Sequence, residues 1–460
     1  EVPSLTRTRT MRRSAARTWA ALARSAAALD PTRNITTRAL ASARAHRHED
    51  ASRLRRRRID RLRGFATIGE AFLVAAHAEV LRRAGAEIPP HLAQLLAVIT
   101  AQGASPLPPD ARDGLHPLVL PIAKVRRGDL DRVVGLLLRP SPSSRIDAPP
   151  LAGPLPVVLA GPGGVRMLAK DAASYVHAAI VREDASPAAA TTKPEPFPVA
   201  GAAGAAGREM YTPGELAASS MPDRPEVFIL RNVGKFPDDM EAMALRHLRI
   251  GVGVGEGEPL SFDLKSANPS ATAVTSALVT AEWYANDPAF KGWAGPQAFN
   301  ARMLRDLGRV DEARDAARVA LSTAACWDTV GTERGGAAEM AAVAGLNAAV
   351  KAKGMGAREL RDMLETGGEA HKAAAAAMAG RIPEVGAPES GLDGDVVGKG
   401  DGRREAMGAA VAALDAVALG ADADVARGVG GSWEDARDEV GAAYGEAGLA
   451  GLAAFARRRG

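Results

Sequence analysis

Between residues 59 and 100, apolar residues recur every three or four positions, which is the spacing of one helix face. Between residues 59 and 85 the recurring positions are Ile68, Phe72, Leu73, Ala76, Val80 and Leu81. Leucines at 92, 95 and 96 repeat the pattern after the break at Pro89-Pro90. We therefore predict one helix, or two with a break, over 59–85 and a second short helix over 91–100.

Residues 115–170 change to short, continuous apolar runs of the kind found in buried strands. The runs are 118–123, 133–138, 155–160 and 165–168. Arg127-Gly128-Asp129 and the Pro/Ser stretch 140–143 separate the first three runs, as turns and loops do. We predict a small antiparallel sheet followed by a helix from Asp171 to Glu183, which together form a compact α+β unit.

Helical spacing returns near residue 237 and dominates the rest of the chain. Pro237, followed by acidic residues at 238, 239 and 241, predicts a helix start. Proline lacks an N–H group, and the first residue of a helix has no intrahelical acceptor for one. Carboxylates are favoured near the positive N-terminal end of a helix. Further helices are predicted at 275–285, 335–352, 357–366, 369–380, 404–418 and 432–457, with a hairpin of two short helices at 297–325. The predicted fold class is mainly α, with a small α+β unit in the N-terminal half.

Composition predicts seven parts along the chain. Low-complexity stretches rich in Pro, Gly and Ala predict two linkers, because they bury too little apolar surface to become ordered. The parts are a basic arm (1–50), N-terminal helices (51–110), the α+β unit (111–185), a disordered linker (186–208), a helical body (209–382), a flexible linker (383–402) and C-terminal helices (403–460).

The net charge of +4 hides a strong asymmetry. Residues 1–65 hold 17 Arg against 5 acidic residues, a balance of +12, which leaves −8 for the other 395. From Met11, a candidate start, to Arg47 the chain is rich in Arg, Ala, Ser and Thr, and its one acidic residue is Asp30. This is the composition of an organelle transit peptide, so we expect a location in the chloroplast (stroma), with the mitochondrion as the alternative.

A second basic cluster, Arg53–Arg63, holds seven arginines within eleven residues. It is either the solvated face of a helix that leads into the first domain or a contact for RNA or anionic lipid. Under the second interpretation Arg55, Arg56, Arg57 and Arg58 would bind nucleic acid. No aromatic residues interleave, which weighs against sequence-specific reading of RNA bases.

Catalytic and metal-binding motifs are missing from the sequence. The single cysteine, Cys326, excludes an intramolecular disulfide framework and a Cys-rich metal site. Gly161–Gly164 lacks the Lys and Ser/Thr ending of a phosphate loop and is interpreted as a turn between strands. His116 and His177 flank the predicted sheet and leave an enzymatic alternative open. We predict a non-enzyme without cofactor or metal and, since no apolar run reaches eighteen residues, without a transmembrane helix.

Aromatic residues make up only 4% of the chain, yet Trp283, Tyr284 and Trp293 lie within eleven residues of one another, just before the hairpin. They either pack beneath the hairpin or anchor a protein partner in a groove. Together with Arg302 and Arg305 on the hairpin, they are the candidate partner-binding residues.

The hairpin resembles a tetratricopeptide-type repeat, in which small residues let two antiparallel helices approach closely. The matching small positions are Ala301, Gly308, Ala313 and Ala320, with Leu304 at a larger apolar position. Ala317 stands where a bulky aromatic is usual and Ala325 where proline is usual. This one unit covers about 7% of the chain, and the resemblance implies a surface for protein partners.

More broadly, the chain looks like uncharacterised plastid-targeted helical proteins of plants and green algae. The strings that carry this likeness are 114–119, 167–170, 313–318, 432–435 and 444–449. The resemblance implies a plastid location and a non-enzymatic role. The leading hypothesis is an organellar scaffold or assembly factor that binds proteins through a TPR-like surface, and the alternative is an organellar RNA-binding protein.

Overall fold

In the computed structural model, antiparallel strands form a five-stranded sheet in the order β1-β2-β3-β4-β5. The strands are β1 (Ser105–Pro106), β2 (Val119–Arg127), β3 (Leu130–Leu137), β4 (Val157–Gly161) and β5 (Gly164–Ala169). Strands β2 to β5 coincide with the four apolar runs, so the predicted antiparallel sheet is confirmed. The two-residue strand β1 carries no apolar run that could have predicted it.

The structure describes residues 71–127, 130–140, 153–161, 164–186, 198–253, 270–322, 337–345 and 433–460, with residues 69 and 151 and parts of 402–417. Apart from residue 69, these belong to the unit Glu70–Gly460. The basic arm 1–50, the arginines 55–58, Cys326 and the predicted helices at 357–366 and 369–380 lie outside the described residues.

Close backbone packing fixes the centre of the sheet. Every residue of β4 is buried, and β2 has an irregular step between Pro121 and Ala123. On β3, a Cβ atom at Gly135 would lie only 2.6 Å from the Leu120 carbonyl oxygen. Glycine is therefore required at this point of contact between β2 and β3.

Three helices pack around the sheet: α1 (71–84), α2 (Leu92–Ala101) and α3 (Ala172–Asp184). The ring of His77 on α1 is fully buried and lies 2.8 Å (Nε2) from the Pro121 carbonyl oxygen of β2, which gives this histidine a structural role. Asp171 accepts a hydrogen bond from the Ser174 N–H at 2.7 Å and so caps α3. Phe72, which the helical pattern placed on the apolar face of α1, is exposed instead.

Helix α4 (Pro198–Met210) begins within the stretch 186–208, which composition predicted to be a disordered linker. The Glu183 carboxylate accepts hydrogen bonds from the Val199 and Ala200 N–H groups, both at 2.9 Å, and so caps the start of the helix. Gly207 lets α4 approach α3, because a Cβ atom there would lie 3.1 Å from Ile180 Cδ1. Gly207 therefore serves the close packing of α4 on α3.

The helical body that follows is a series of helices in which each of the larger members packs on the next. Its members are α5 (Glu215–Ala218), α6 (Pro225–Asn232), α7 (Pro237–Val252), α8 (Ala271–Asn286), a 3-10 turn (Pro288–Phe290), α9 (Gly295–Asp306), α10 (Val310–Ser322) and α11 (Ala337–Val343). The predicted hairpin corresponds to α9 and α10, joined at Gly308 with a φ of 79°. Together with the sheet, these helices confirm the mainly α fold class.

The C-terminal part forms α12 (405–411), α13 (Trp433–Glu446) and α14 (Ala450–Arg457). The single helix predicted over 432–457 is therefore wrong. The chain reverses at Gly448, whose φ is 74°, and the Leu449 N–H donates to the Tyr444 carbonyl at 2.8 Å. This is a glycine-terminated helix end, which periodicity alone does not distinguish from a continuing helix.

One apolar core joins the N-terminal sheet, helices α7 and α8, and the C-terminal helices α13 and α14. The hairpin and α11 share a second, smaller cluster. The domain boundaries drawn from composition remain predictions. None of the described helices is long and apolar enough to cross a bilayer.

Candidate protein-binding face

The first five residues of α7 include three carboxylates that bind arginines of the sheet unit. Arg166 on β5 donates to Asp238 at 2.6 Å and to Glu241 at 3.2 Å, while Arg182 on α3 donates to Asp239 at 2.8 Å. Carboxylates stabilise the positive end of a helix, so the same groups start α7 and attach it to the sheet unit.

Burial changes the protonation behaviour of this cluster. It raises the pKa of Asp239 to about 6, although Arg182 acts in the opposite direction. It also raises the pKa of Glu241, against the lowering effect of Arg166. The Tyr284 hydroxyl lies 3.5 Å from Glu241 Oε1, which connects the cluster to the aromatic residues of α8.

Two of the three candidate aromatics lie inside the protein. Tyr284 is 1% exposed and packs edge-on against Phe290 and Phe299, with ring centroids 4.8 Å and 6.0 Å away. Trp293 is 6% exposed. Tyr284 therefore packs against the first helix of the hairpin, and the rings of both residues are buried.

Trp283 points the other way and is 43% exposed. One helical turn earlier Val279 is 60% exposed, so two large apolar side chains lie side by side on α8. We call the exposed side of this helix the α8 outer face; it consists of Thr275, Val279, Glu282, Trp283 and Asn286. The apolar periodicity of α8 did not indicate the exposure of Val279, since valine is most often a core residue.

A lysine lies beside the tryptophan of this face. Lys235 Nζ is 5.7 Å from the Trp283 ring centroid, within range of a cation–π interaction, and 2.5 Å from Asp287 Oδ2. The Asp287 side chain is almost fully buried, and its Oδ1 accepts a hydrogen bond from the Ala289 N–H at 2.9 Å. These contacts hold Lys235 next to Trp283, at the end of the apolar face.

The two candidate arginines of the hairpin bind a neighbouring helix. Arg302 and Arg305 on α9 each donate to the Glu339 carboxylate on α11, at 2.8 Å and 2.9 Å. Arg305 also donates to Asp306 at 2.9 Å. Their guanidinium groups thus connect α9 to α11.

His116 is buried against Trp433, with ring centroids 4.7 Å apart. Burial lowers its pKa to about 3, and the nearby Arg437 and Arg112 act in the same direction. Its Nδ1 accepts a hydrogen bond from the Leu118 N–H at 3.1 Å, which leaves this nitrogen no proton to exchange.

His177 is half-buried beside Tyr211, and burial lowers its pKa. Within the described ranges, no group of three or more His, Cys, Asp or Glu side chains could hold a metal ion.

Sequence reasoning missed a buried arginine pair that joins the C-terminal helices to the sheet unit. Arg437 on α13 donates to the carbonyls of Arg112 and Leu115 at 2.6 Å and 2.9 Å. Arg112 donates to the Phe455 carbonyl at 2.5 Å and stacks over the Phe455 ring. No local signal marks either arginine, because in sequence each looks like a surface residue.

The fold and this face define a mainly helical protein with a small antiparallel sheet and an exposed apolar helix surface. The family model PAB N-terminal matches residues 76–232, a range that begins within α1 and ends with α6. Residues 264–347 match the model PAB middle domain, which contains α8 to α11 and therefore the α8 outer face.

The chain is 33% identical over 258 residues to a protein of Arabidopsis thaliana named Protein IN CHLOROPLAST ATPASE BIOGENESIS, chloroplastic. The match covers 56% of this chain and 66% of the relative, slightly under two thirds of that protein. It confirms the chloroplast location and supports the predicted likeness to plastid proteins. No solved structure matches the chain.

Proposed function

We propose that this chain is a non-enzymatic assembly factor in the biogenesis of the chloroplast ATPase. The similarity to a protein named for that process, together with matches to both PAB models, supports this role. The relative's name describes biogenesis rather than a reaction, which supports a role without catalysis.

The α8 outer face is our proposed contact for a protein subunit of that complex. Tryptophan is enriched among residues that dominate binding energy, and Val279 extends its apolar surface by one helical turn. Helix α8 is held by α7 on one side and by α9 on the other. The face is therefore ordered before binding, which reduces the entropy cost of association.

The arrangement of α9, α10 and α11 supports a TPR-like scaffold. Helix α11 packs on α10 and also touches α9, as the first helix of a following repeat would. The Glu339 ion pairs with Arg302 and Arg305 hold this arrangement together. In this proposal the scaffold supports α8, and the binding surface lies on α8 itself.

The test is copurification of ATPase subunits from chloroplasts that express the tagged chain. We expect Trp283→Ala and Val279→Asp to reduce recovery about tenfold or more, since loss of an anchor residue costs about 2 kcal/mol. Both positions are exposed, so each variant should keep the unfolding temperature of the wild type.

The matched control is Val310→Asp, because Val310 is 52% exposed at the start of α10 and outside the α8 outer face. It introduces the same charge and should leave recovery unchanged. If the wild-type chain, Val279→Asp and Trp283→Ala recovered equal amounts of ATPase subunits, the proposed contact at the α8 outer face would be refuted. Failure of the wild-type chain to enrich any ATPase subunit would refute the proposed role.

A further inference from the structure

Charged side chains attach helix α7 to three elements of the N-terminal part of the protein. Arg166 of β5 and Arg182 of α3 bind carboxylates at the start of the helix. Arg246, on α7 itself, lies 3.4 Å from the Glu226 carboxylate of α6, which Arg224 also binds at 3.5 Å. All three elements lie within the match to the PAB N-terminal model, so these ion pairs join α7 to that part of the chain.

Helix α7 lies between the two matched ranges, since the first ends at residue 232 and the second begins at residue 264. On its other side α7 packs on α8, which belongs to the PAB middle domain match. Glycines with a positive φ stand beyond both of its ends, Gly234 at 147° and Gly253 at 70°. Helix α7 is therefore a separate connecting element between the N-terminal part and the helical body.

Two carboxylates in this connection are shielded from water. The side chain of Asp239 is 10% exposed and that of Glu241 is 22% exposed, whereas that of Asp238 is 53% exposed. A carboxylate loses hydration when it is buried, which disfavours its charged form. Burial accordingly raises the pKa of Asp239 to about 6 and also raises the pKa of Glu241.

The charges around Asp239 come from α3, α6 and its own helix. Arg182 of α3 attracts the charged form of this carboxylate. Asp238 on α7 and Glu226 on α6 both repel it. One attracting charge is thus opposed by two repelling charges as well as by burial.

The groups around Glu241 come from β5, α8, α9 and its own helix. Arg166 of β5 and Arg302 of α9 attract the charged form, and Asp238 repels it. The Tyr284 hydroxyl of α8 lies 3.5 Å from Glu241 Oε1. Burial outweighs both arginines, so the proton is held more firmly here than on a carboxylate in water.

We propose that Asp239 and Glu241 form a pH-sensitive latch, which holds α7 on the N-terminal part at acidic pH and loosens as the pH rises. With a proton on each carboxylate, α7 packs on β5 and α3 without burying these two negative charges. When the protons leave, the attached state has to bury the charges, whereas the detached state hydrates them. The latch does not depend on partner binding at the α8 outer face, so either proposal can fail its test without the other.

The ratio of detached to attached α7 should rise about tenfold between pH 5 and pH 8. Asp239 alone accounts for this rise, because its pKa is 3.8 in water and about 6 in the attached state, which therefore binds the proton more tightly. Glu241 acts in the same direction, since its pKa is also raised.

Hydrogen exchange of the full chain measures this ratio as the observed exchange rate divided by the intrinsic rate of a free amide at the same pH. A helix of 16 residues that loses packing is only marginally stable, so its amides exchange when it detaches. We expect the tenfold rise for residues 243–248, which lie beyond the turn that frays at the helix start. Their ratio should also exceed that of β4 amides at least tenfold, because β4 lies at the centre of the main core.

In the double variant Asp239→Asn, Glu241→Gln the latch has no proton to lose, and the ratio should change less than threefold over the same pH range. The matched control is Asp438→Asn, Glu439→Gln on α13, where both side chains are exposed. It removes the same two kinds of carboxylate and should keep the tenfold rise.

Three results would overturn the latch. The ratio for residues 243–248 could stay constant with pH in the wild-type chain, or its rise could persist in the latch variant. It could also equal the ratio for β4, which would mean that α7 opens only when the whole unit unfolds.

Discussion

Asp239 behaves differently from an aspartate at the surface because of where its carboxylate lies. The side chain is almost completely buried in the first turn of α7, where it faces Arg182 and lies near Asp238 and Glu226. Burial outweighs the attraction of Arg182 and raises its pKa from 3.8 to about 6. The sequence predicted an acidic helix start here but gave no indication that one of the carboxylates would be buried.

This shift predicts a specific dependence of stability on pH. Below pH 3.8 the carboxyl group is neutral in both states, and as pH rises through 6 the folded state has to ionise a buried group. The stability contributed by the raised pKa is thus present at low pH and lost by pH 7, a change of at most about 3 kcal/mol. We expect Asp239→Asn to remove this loss.

The measurement is the free energy of unfolding in urea between pH 4 and pH 7. The difference between Asp239→Asn and wild type should rise with pH in favour of the variant. Asp438→Asn on α13 serves as the control, since that side chain is 65% exposed and is not among the charges that act on Asp239. A difference for Asp239→Asn that stays flat or falls with pH would contradict the assignment.

At the scale of elements, the two C-terminal helices show the limit of apolar periodicity. Buried residues recur at helical spacing through α13 and α14, which is why the sequence predicted one helix over 432–457. The break comes from the backbone of Gly448, which adopts a left-handed conformation. Glycine also occurs inside α13, at Gly445, so residue type alone could not locate the end.

We predict opposite effects for the same substitution at these two glycines. Gly448→Ala should destabilise the protein by about 1 kcal/mol, because a Cβ atom is strained at a φ of 74°. Gly445→Ala lies in the helix with open space around it and should stabilise by about 0.5–1 kcal/mol. Thermal or urea unfolding measures both, and a shift of the same sign at the two positions would argue against the break at Gly448.

The sequence was more informative about the sheet and hairpin than about the candidate site. Four apolar runs predicted β2 to β5, because buried strands need a continuous apolar stretch that can be read locally. Trp283 and Tyr284 are adjacent in sequence, yet one is exposed and the other is buried. Neighbours on a helix point about 100° apart, so only the position of α7 and α9 decides which ring faces the core.

At the scale of the whole molecule, the chain returns at its C-terminal part to the core formed by its first strands. Arg437 on α13 binds carbonyls of residues 112 and 115, and Trp433 packs on His116. The hairpin and α11 form a separate cluster made largely of alanine. Alanine buries little apolar area per residue, so this second cluster should be the weaker of the two.

Hydrogen exchange should therefore distinguish the two clusters. We expect amides in the middle of α10 to exchange through openings of lower free energy than amides of β3 and β4, which belong to the main core. Amides of α13 should exchange through openings of the same free energy as those of the sheet, because α13 belongs to the same apolar core. Equal protection of α10 and β4 would show that the hairpin opens only with the whole unit.

The sequence by itself determined the kinds of elements, the order of most of them, and a strongly basic N-terminal arm attached to an acidic body. These follow from spacing and charge, which each segment carries independently of its neighbours. The tertiary structure alone decided that Asp239, Arg112 and Arg437 are buried and that Val279 and Trp283 are exposed. Burial and proximity depend on segments hundreds of residues apart, and no local pattern contains that information.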